Sequence, residues 1–140
     1  MSLFKYTTQV PADKTIGEIQ RELAMHGASA ILSEYDDKGH IVALSFKIKL
    51  DGREIGFKLP SDWRPVLKIL EDDNKVPYRL KTQEQALRVS WRIIQAWVEA
   101  QMAIIETKMV KFDQVFLPYA VTKSGKTVYE AISDNKLLLE

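Results

Sequence analysis

The sequence predicts an α+β domain, in which a three-stranded antiparallel meander packs on one long helix with two shorter flanking helices. Three observations predict it: apolar and polar residues alternate over residues 40–50, an Asp51-Gly52 turn follows directly, and a long helical stretch begins after Thr82. A chain of 140 residues has the length of one domain. We therefore expect residues 1–140 to form a single globular domain.

The first short helix is predicted from the capping box Thr15-Ile16-Gly17-Glu18, in which the threonine and glutamate side chains bind each other's backbone amides. Apolar residues then recur at helical spacing as far as Leu23. Gly27 supplies the left-handed conformation that commonly ends a helix. We expect the helix to start at Thr15 and to bury one face.

Three strands should follow. Residues 28–35 are β-prone, residues 36–39 have turn chemistry, and an Asp-Gly pair is typical of a type I′ hairpin because both positions need positive φ. This hairpin sets Leu50 opposite Arg53 and divides the side chains between two faces. The apolar face carries Leu44, Phe46, Ile48, Ile55, Phe57 and Leu59. The opposite, mostly cationic face carries Lys47, Lys49, Glu54 and Lys58.

Helices should occupy much of the second half of the chain. Ser61 or Asp62 can cap a short helix that begins near Trp63. A second capping box, Thr82-Gln83-Glu84-Gln85, opens a stretch with neither glycine nor proline until Pro118. We expect a helix over residues 83–110, about 42 Å long. Its apolar residues cover more than one stripe, and four of them should meet the apolar face of the sheet: Trp91, Ile94, Trp97 and Val98.

The C-terminal thirty residues are harder to interpret. The apolar run at residues 115–117, a turn at Lys123-Ser124-Gly125-Lys126 and a second apolar stretch predict two short extended pieces, or a strand followed by a helical turn. Residues 137–139 are three leucines, which should either dock on the domain or fray.

Composition excludes several classes of function. Twenty basic and nineteen acidic residues leave a net charge of +1, so no global field draws the chain to nucleic acid or to a membrane. Cysteine is absent, which excludes disulfides, thiolate nucleophiles and cysteine-ligated zinc. The apolar runs are too short to span a bilayer and the N-terminus lacks a signal-peptide pattern. We expect a cytoplasmic protein without membrane contact.

Residues that could carry catalysis are sparse. Neither His26 nor His40 is followed by a second ligand at i+3 or i+4, so no histidine metal site is expected. Glu99 and Glu106 could share one face of the long helix, as in bundle-type carboxylate metal sites, and an enzyme using them is the least favoured hypothesis because no histidine accompanies them. We predict a non-enzymatic protein with no cofactor, no metal and no catalytic residue.

The cations of the hairpin are the strongest local signal for a partner. Basic side chains spaced along two strands can follow a phosphate backbone, and each neutralised phosphate releases a counterion, which makes binding salt-dependent. The candidate contacts are Lys47, Lys49, Arg53 and Lys58. Our first hypothesis is an accessory protein that contacts DNA or RNA. The alternative is a protein-interaction module or homodimer that docks through apolar surface left over on the long helix.

Two resemblances add to this interpretation. The order helix, three antiparallel strands, helix is similar to that of double-stranded-RNA-binding domains, and Gly39-His40 and Asp51-Gly52 resemble that family's middle strands. The phosphate-contacting lysine cluster of that family has no counterpart, because Pro60-Ser61-Asp62-Trp63-Arg64-Pro65 occupies its place.

A closer resemblance, along most of the chain, is to small uncharacterised proteins of bacteriophage and prophage type. It is carried by several short segments, among them Phe57-Lys58-Leu59-Pro60, Trp97-Val98-Glu99-Ala100-Gln101 and Val115-Phe116-Leu117-Pro118-Tyr119-Ala120. The resemblance implies a phage context. It implies no reaction, so no site residue is carried over.

Overall fold

The fold is the α+β arrangement that the sequence predicts. A computed structural model describes residues 2–135. Its strands form one antiparallel sheet in the order β1-β2-β3. The elements are α1 (Ala12–Met25), β1 (Ala28–Tyr35), β2 (Ile41–Leu50), β3 (Arg53–Lys58), α2 (Trp63–Asp72), α3 (Gln83–Glu106), α4 (Phe112–Phe116) and α5 (Val128–Asn135), with 3₁₀ turns at Tyr78–Leu80 and Leu117–Tyr119.

Helix α1 begins one turn before the predicted capping box. The amides of Lys14 and Thr15 donate to the Pro11 carbonyl at 3.1 and 3.3 Å, so the helix starts directly after this proline. Thr15 is fully buried, and its hydroxyl has no hydrogen-bond partner among residues 2–135. The prediction of a cap at Thr15 is wrong because a backbone carbonyl, not the threonine, receives the first amides. The end is as predicted: α1 stops at Met25 and Gly27 has φ 104°.

The hairpin and its register are confirmed. Asp51 and Gly52 have φ of 51° and 81°, the left-handed pair that a type I′ turn requires. Leu50 pairs with Arg53, and Phe46 with Phe57, as the turn predicts. On the other side of β2, the pairing with β1 contains two register shifts, one at each end of a regular stretch over residues 30–34.

The apolar face of the sheet is the centre of the core. It packs against α1 and α3, which lie side by side on it. The sheet contributes Leu44, Phe46, Ile48, Phe57 and Leu59 to this core, α1 contributes Ile16, Ile19 and Leu23, and α3 contributes Trp91, Ile94 and Val98. Ile55 and Trp97 are partly buried against the same cluster. The predicted packing of the sheet on the long helix is therefore confirmed.

Helix α3 has a second apolar stripe because it is covered on two sides. Away from the sheet, Ala86 packs with Leu70 of α2 and with Val76 from the loop after it. Asp62 caps α2 by accepting the amide of Arg64 at 3.1 Å, as predicted. Helix α3 ends at Glu106, four residues earlier than predicted, where Lys108 adopts a left-handed φ of 66°.

The C-terminal segment completes the core with helix rather than strand. The apolar run at residues 115–117, which is too short for periodicity to assign, lies partly in the short helix α4. Phe116 of this helix is fully buried. Ala120 and Val121 then form single bridges, the first with Phe57, before α5. The prediction of two extended pieces is wrong, and the alternative of extended chain followed by helix is nearer. The three leucines at 137–139 lie outside the described residues.

Candidate nucleic-acid interface

The face of the sheet that points away from the core is exposed. We call it the open face. It carries Ala30, Leu32 and Glu34 of β1, Ser45, Lys47 and Lys49 of β2, and Glu54, Gly56 and Lys58 of β3. The side chains of Lys47 and Lys58 are 60% and 50% exposed, and Leu32 is 60% exposed. Within the β2–β3 hairpin, the three lysines lie on the opposite side of the sheet from Phe46, Ile48 and Phe57, as expected.

Arg53 does not belong to the open face. Because it pairs with Leu50 at the hairpin tip, its side chain lies in the same row as Ile55 and Phe57, on the opposite side of the sheet from the three lysines. Its side chain is exposed, although its cross-strand neighbour Leu50 is partly buried against the core. Grouping Arg53 with Lys47, Lys49 and Lys58 is therefore corrected: a ligand lying on the open face meets three cations from this hairpin rather than four.

Carboxylates share the open face with the lysines. The Lys47 ammonium lies 3.7 Å from the Glu54 carboxylate, and the Lys58 ammonium lies 3.9 Å from that of Glu34. Lys49 stands directly across from Glu54 but takes part in no ion pair among residues 2–135. Exposed pairs of this kind are worth only about 0–1 kcal/mol, so they hold the lysines weakly.

Sequence reasoning missed Glu34 as a member of this face. The available signal was the alternation Ala30, Leu32, Glu34 along β1, which places the carboxylate on the lysine side once β1 is paired with β2. The nearest exposed aromatic of β1 is Tyr35, which occupies the other row and lies at the end of the strand. The open face thus presents charge for phosphates and no ring for base stacking.

The two histidines have structural roles in the described chain. His40 lies 3.2 Å from Asp36 through Nδ1, inside the β1–β2 turn. His26 lies between α1 and α3, with Nδ1 2.8 Å from the Glu22 carbonyl and Nε2 2.7 Å from the Glu106 carboxylate. Glu106 is thereby occupied, and within residues 2–135 no group of three potential ligands could hold a metal ion.

The His26 contact makes stability depend on pH. Both of its partners are acceptors, so both ring nitrogens must donate and the bridge needs the imidazolium form. The hydrogen bond to the Glu22 carbonyl, followed by that to the Glu106 carboxylate, raises the pKa of His26 above its usual 6.5. This stabilisation is complete below pH 6.5 and is lost as pH rises through the higher pKa of the folded state.

We therefore expect the free energy of unfolding to decrease from pH 6 to pH 8 through this group, about the range in which histidines titrate. Replacing His26 by Gln should flatten that dependence, whereas His40→Gln, the matched control, should leave it in place. Urea unfolding at a series of pH values measures the effect. A parent protein and His26→Gln variant with the same pH slope would contradict it.

The clefts of the described chain are shallow. One of about 240 Å³ lies between α1 and α3. Two of its polar side chains bind each other, since Gln95 donates to Glu18 at 3.1 Å, and Gln95 also accepts from the neighbouring Arg92 at 2.7 Å. These contacts link the two helices without forming a nucleophile, base and oxyanion site.

Two further findings bear on the class of protein. Within residues 2–135, none of the helices has the length and apolar character needed to cross a bilayer. Comparison of the chain with protein-family models, curated proteins and solved structures finds no match. The resemblance to phage-type proteins therefore stays a hypothesis based on the residues that carry it.

Proposed function

We propose that this is a non-enzymatic accessory protein of phage type that contacts nucleic-acid phosphates in the cytoplasm through the open face. The observation that supports it is the placement of Lys47, Lys49 and Lys58 on the exposed side of two paired strands. Residues two apart on a strand are about 6.7 Å apart. That spacing lets Lys47 and Lys49 contact separate phosphates, because each strand of a duplex carries one phosphate per about 3.4 Å of helix axis.

The neighbouring glutamates do not block such a contact. The Lys47–Glu54 and Lys58–Glu34 pairs are long and exposed, so each costs little to exchange for a phosphate. Glu34 and Glu54 nevertheless reduce the net charge of the face, which predicts weak binding. Since the face has no exposed ring, contact with the backbone rather than with bases is expected, and binding should be independent of sequence.

Docking of a protein through α3, the alternative from the sequence, loses its motivation. The alternative arose from apolar residues in excess of one stripe, and in the structure many of these pack against the sheet and α1 on one side or against α2 on the other. Met109, which is 71% exposed, lies beyond the end of α3. Within residues 2–135, the large hydrophobic side chains that remain exposed lie outside α3. The open face is accordingly the better supported surface for a ligand.

Fluorescence anisotropy with labelled oligonucleotides tests the proposal. Three neutralised phosphates predict a slope of log K against log[salt] of about −2.7 on duplex DNA, so raising salt from about 50 to about 200 mM should weaken binding about 40-fold. Replacing Lys47, Lys49 and Lys58 by Gln should abolish measurable binding at low salt. Arg53→Gln should have a smaller effect than any one of these three changes.

The matched control changes the same charge elsewhere. Replacing Lys14, Lys38 and Lys75 by Gln removes three exposed cations that lie outside the open face. If this control weakens binding as much as the open-face triple variant, attraction by net charge rather than by this surface explains it. No binding of the parent protein to single- or double-stranded oligonucleotides at low salt would contradict the proposal.

A further inference from the structure

The two edges of the sheet differ. The outer edge of β3 is covered, since Ala120 bridges to Phe57 and the Val121 amide donates to the Gly56 carbonyl at 2.8 Å. The outer edge of β1 pairs with no strand or bridge of residues 2–135. This edge of an eight-residue strand therefore has a row of backbone donors and acceptors that pair with no other strand of residues 2–135.

The hairpin determines which backbone groups face outward. In a two-residue hairpin the residues that flank the turn, here Leu50 and Arg53, form a hydrogen-bonded pair. Every second residue of β2, counted back from Leu50, therefore directs its amide and carbonyl toward β3, and the residues between them direct theirs toward β1. Ser45 and Lys47 are among those, and they pair with Leu32 and Ala30. Ile31 and Ser33 consequently point their N–H and C=O groups outward.

The exposed edge lacks the features by which single-chain proteins usually protect such strands. Strand β1 contains no lysine, arginine, proline or glycine, and its one charged residue is Glu34. The register shifts that could twist the edge lie outside the regular stretch at residues 30–34. In the middle of this stretch Leu32 is 60% exposed on the open face.

We propose that a second copy of this chain pairs antiparallel along β1, with the two-fold axis at Leu32. Ile31 then exchanges both backbone hydrogen bonds with the partner's Ser33, and Ser33 does the same with the partner's Ile31. Leu32 lies beside the partner's Leu32 in a non-hydrogen-bonded pair, where side chains approach most closely. The two sheets become one of six strands, and the open faces of the two copies become continuous.

A second copy fits this edge by self-complementarity and by charge, and its antiparallel orientation is favoured over the parallel one. The same register satisfies all four outward groups of Ile31 and Ser33 in both copies at once. It sets Glu34 opposite the partner's Ala30, whereas a parallel pairing in register would bring the two Glu34 side chains together. The inference is independent of nucleic-acid binding. Because a strand pair is a small interface, the dimer should dissociate on dilution.

Cysteine cross-linking tests the pairing directly, because the chain has no cysteine of its own. Replacing Leu32 by Cys puts two thiols in a pair whose Cα atoms are about 4.5 Å apart, within the range of a disulfide. Replacing Ala30 by Cys gives a matched control on the same face, with its two copies about 14 Å apart along the strands. Under mild oxidant, Leu32→Cys should form covalent dimer at least ten times faster than Ala30→Cys.

Sedimentation velocity of the parent protein provides the second readout, with dimer expected to appear as concentration rises to about 100 µM. Ser33→Pro removes one outward amide without touching the pairing with β2, so it should shift the protein toward monomer. Equal cross-linking rates for the two cysteine variants would overturn the proposal, as would a parent protein that stays monomeric. Faster cross-linking of Ala30→Cys would overturn the register.

Discussion

Replacing Phe116 by Ala is expected to lower the free energy of unfolding by about 3–5 kcal/mol, the range for a large aromatic lost from a packed core. The ring is fully buried. It stacks on Phe112 with centroids 4.5 Å apart and meets Phe46, Phe57 and Trp97 edge-on at 5.5–6.2 Å. Its removal would leave a cavity between the sheet, α3 and α4.

Urea denaturation of the parent and variant measures this loss. Tyr129→Ala serves as a control, since Tyr129 is 63% exposed and its truncation should change stability by less than about 0.5 kcal/mol. Loss of Phe116 should also release the covering of β3 by Ala120 and Val121, which hydrogen exchange at the Val121 amide would detect. A Phe116→Ala variant within about 1 kcal/mol of the parent would contradict the proposed packing of the C-terminal segment.

Replacing Gln85 by Met is expected to cost about 2–3 kcal/mol, because it leaves backbone acceptors without a donor. Gln85 is 2% exposed. Its side-chain amide donates to the carbonyls of Tyr6 and Thr8 at 2.8 and 3.0 Å, and so attaches the N-terminal segment to α3. Methionine has a similar length and an apolar end, so the loss reports mainly on these hydrogen bonds.

The matched control is Gln83→Met, two residues earlier on the same helix. Gln83 donates one bond to Asp36 at 3.3 Å and is less buried, so its replacement should cost under about 1 kcal/mol. Thermal unfolding of both variants compares the two positions. Equal stability of Gln85→Met and the parent would show that the N-terminal segment is not held by this residue.

Local chemistry predicted the central hairpin well. The Asp51-Gly52 turn has one low-strain solution, and that solution determines the pairing of Leu50 with Arg53 and therefore which side chains face the core. Thr82 likewise caps α3 by accepting the amide of Gln85 at 3.1 Å. In both places a few neighbouring residues determine the local conformation, so the prediction does not depend on tertiary contacts.

Predictions from the sequence were less accurate where contacts between distant elements determine the local conformation. Thr15 has a capping pattern but lies inside α1, because Pro11 offers an earlier start. Phe116 is helical because a hydrophobic surface formed by three distant elements receives it, which no local pattern encodes. For the candidate site, the alternation of β2 and β3 predicted Lys47, Lys49 and Lys58. Arg53 was grouped with these lysines because it is close to them in sequence, whereas the period of two along a strand places its side chain on the other face of the sheet.

One face of the sheet is open, and we propose that its lysines contact nucleic-acid phosphates. Residue-resolved acetylation of lysines, followed by mass spectrometry with and without duplex DNA at low salt, tests both parts. We expect Lys47, Lys49 and Lys58 to react as readily as Lys14 in the free protein, and DNA to protect those three while Lys14 and Lys75 stay reactive. Slow acetylation of the three in the free protein, or equal protection at every lysine, would contradict the account.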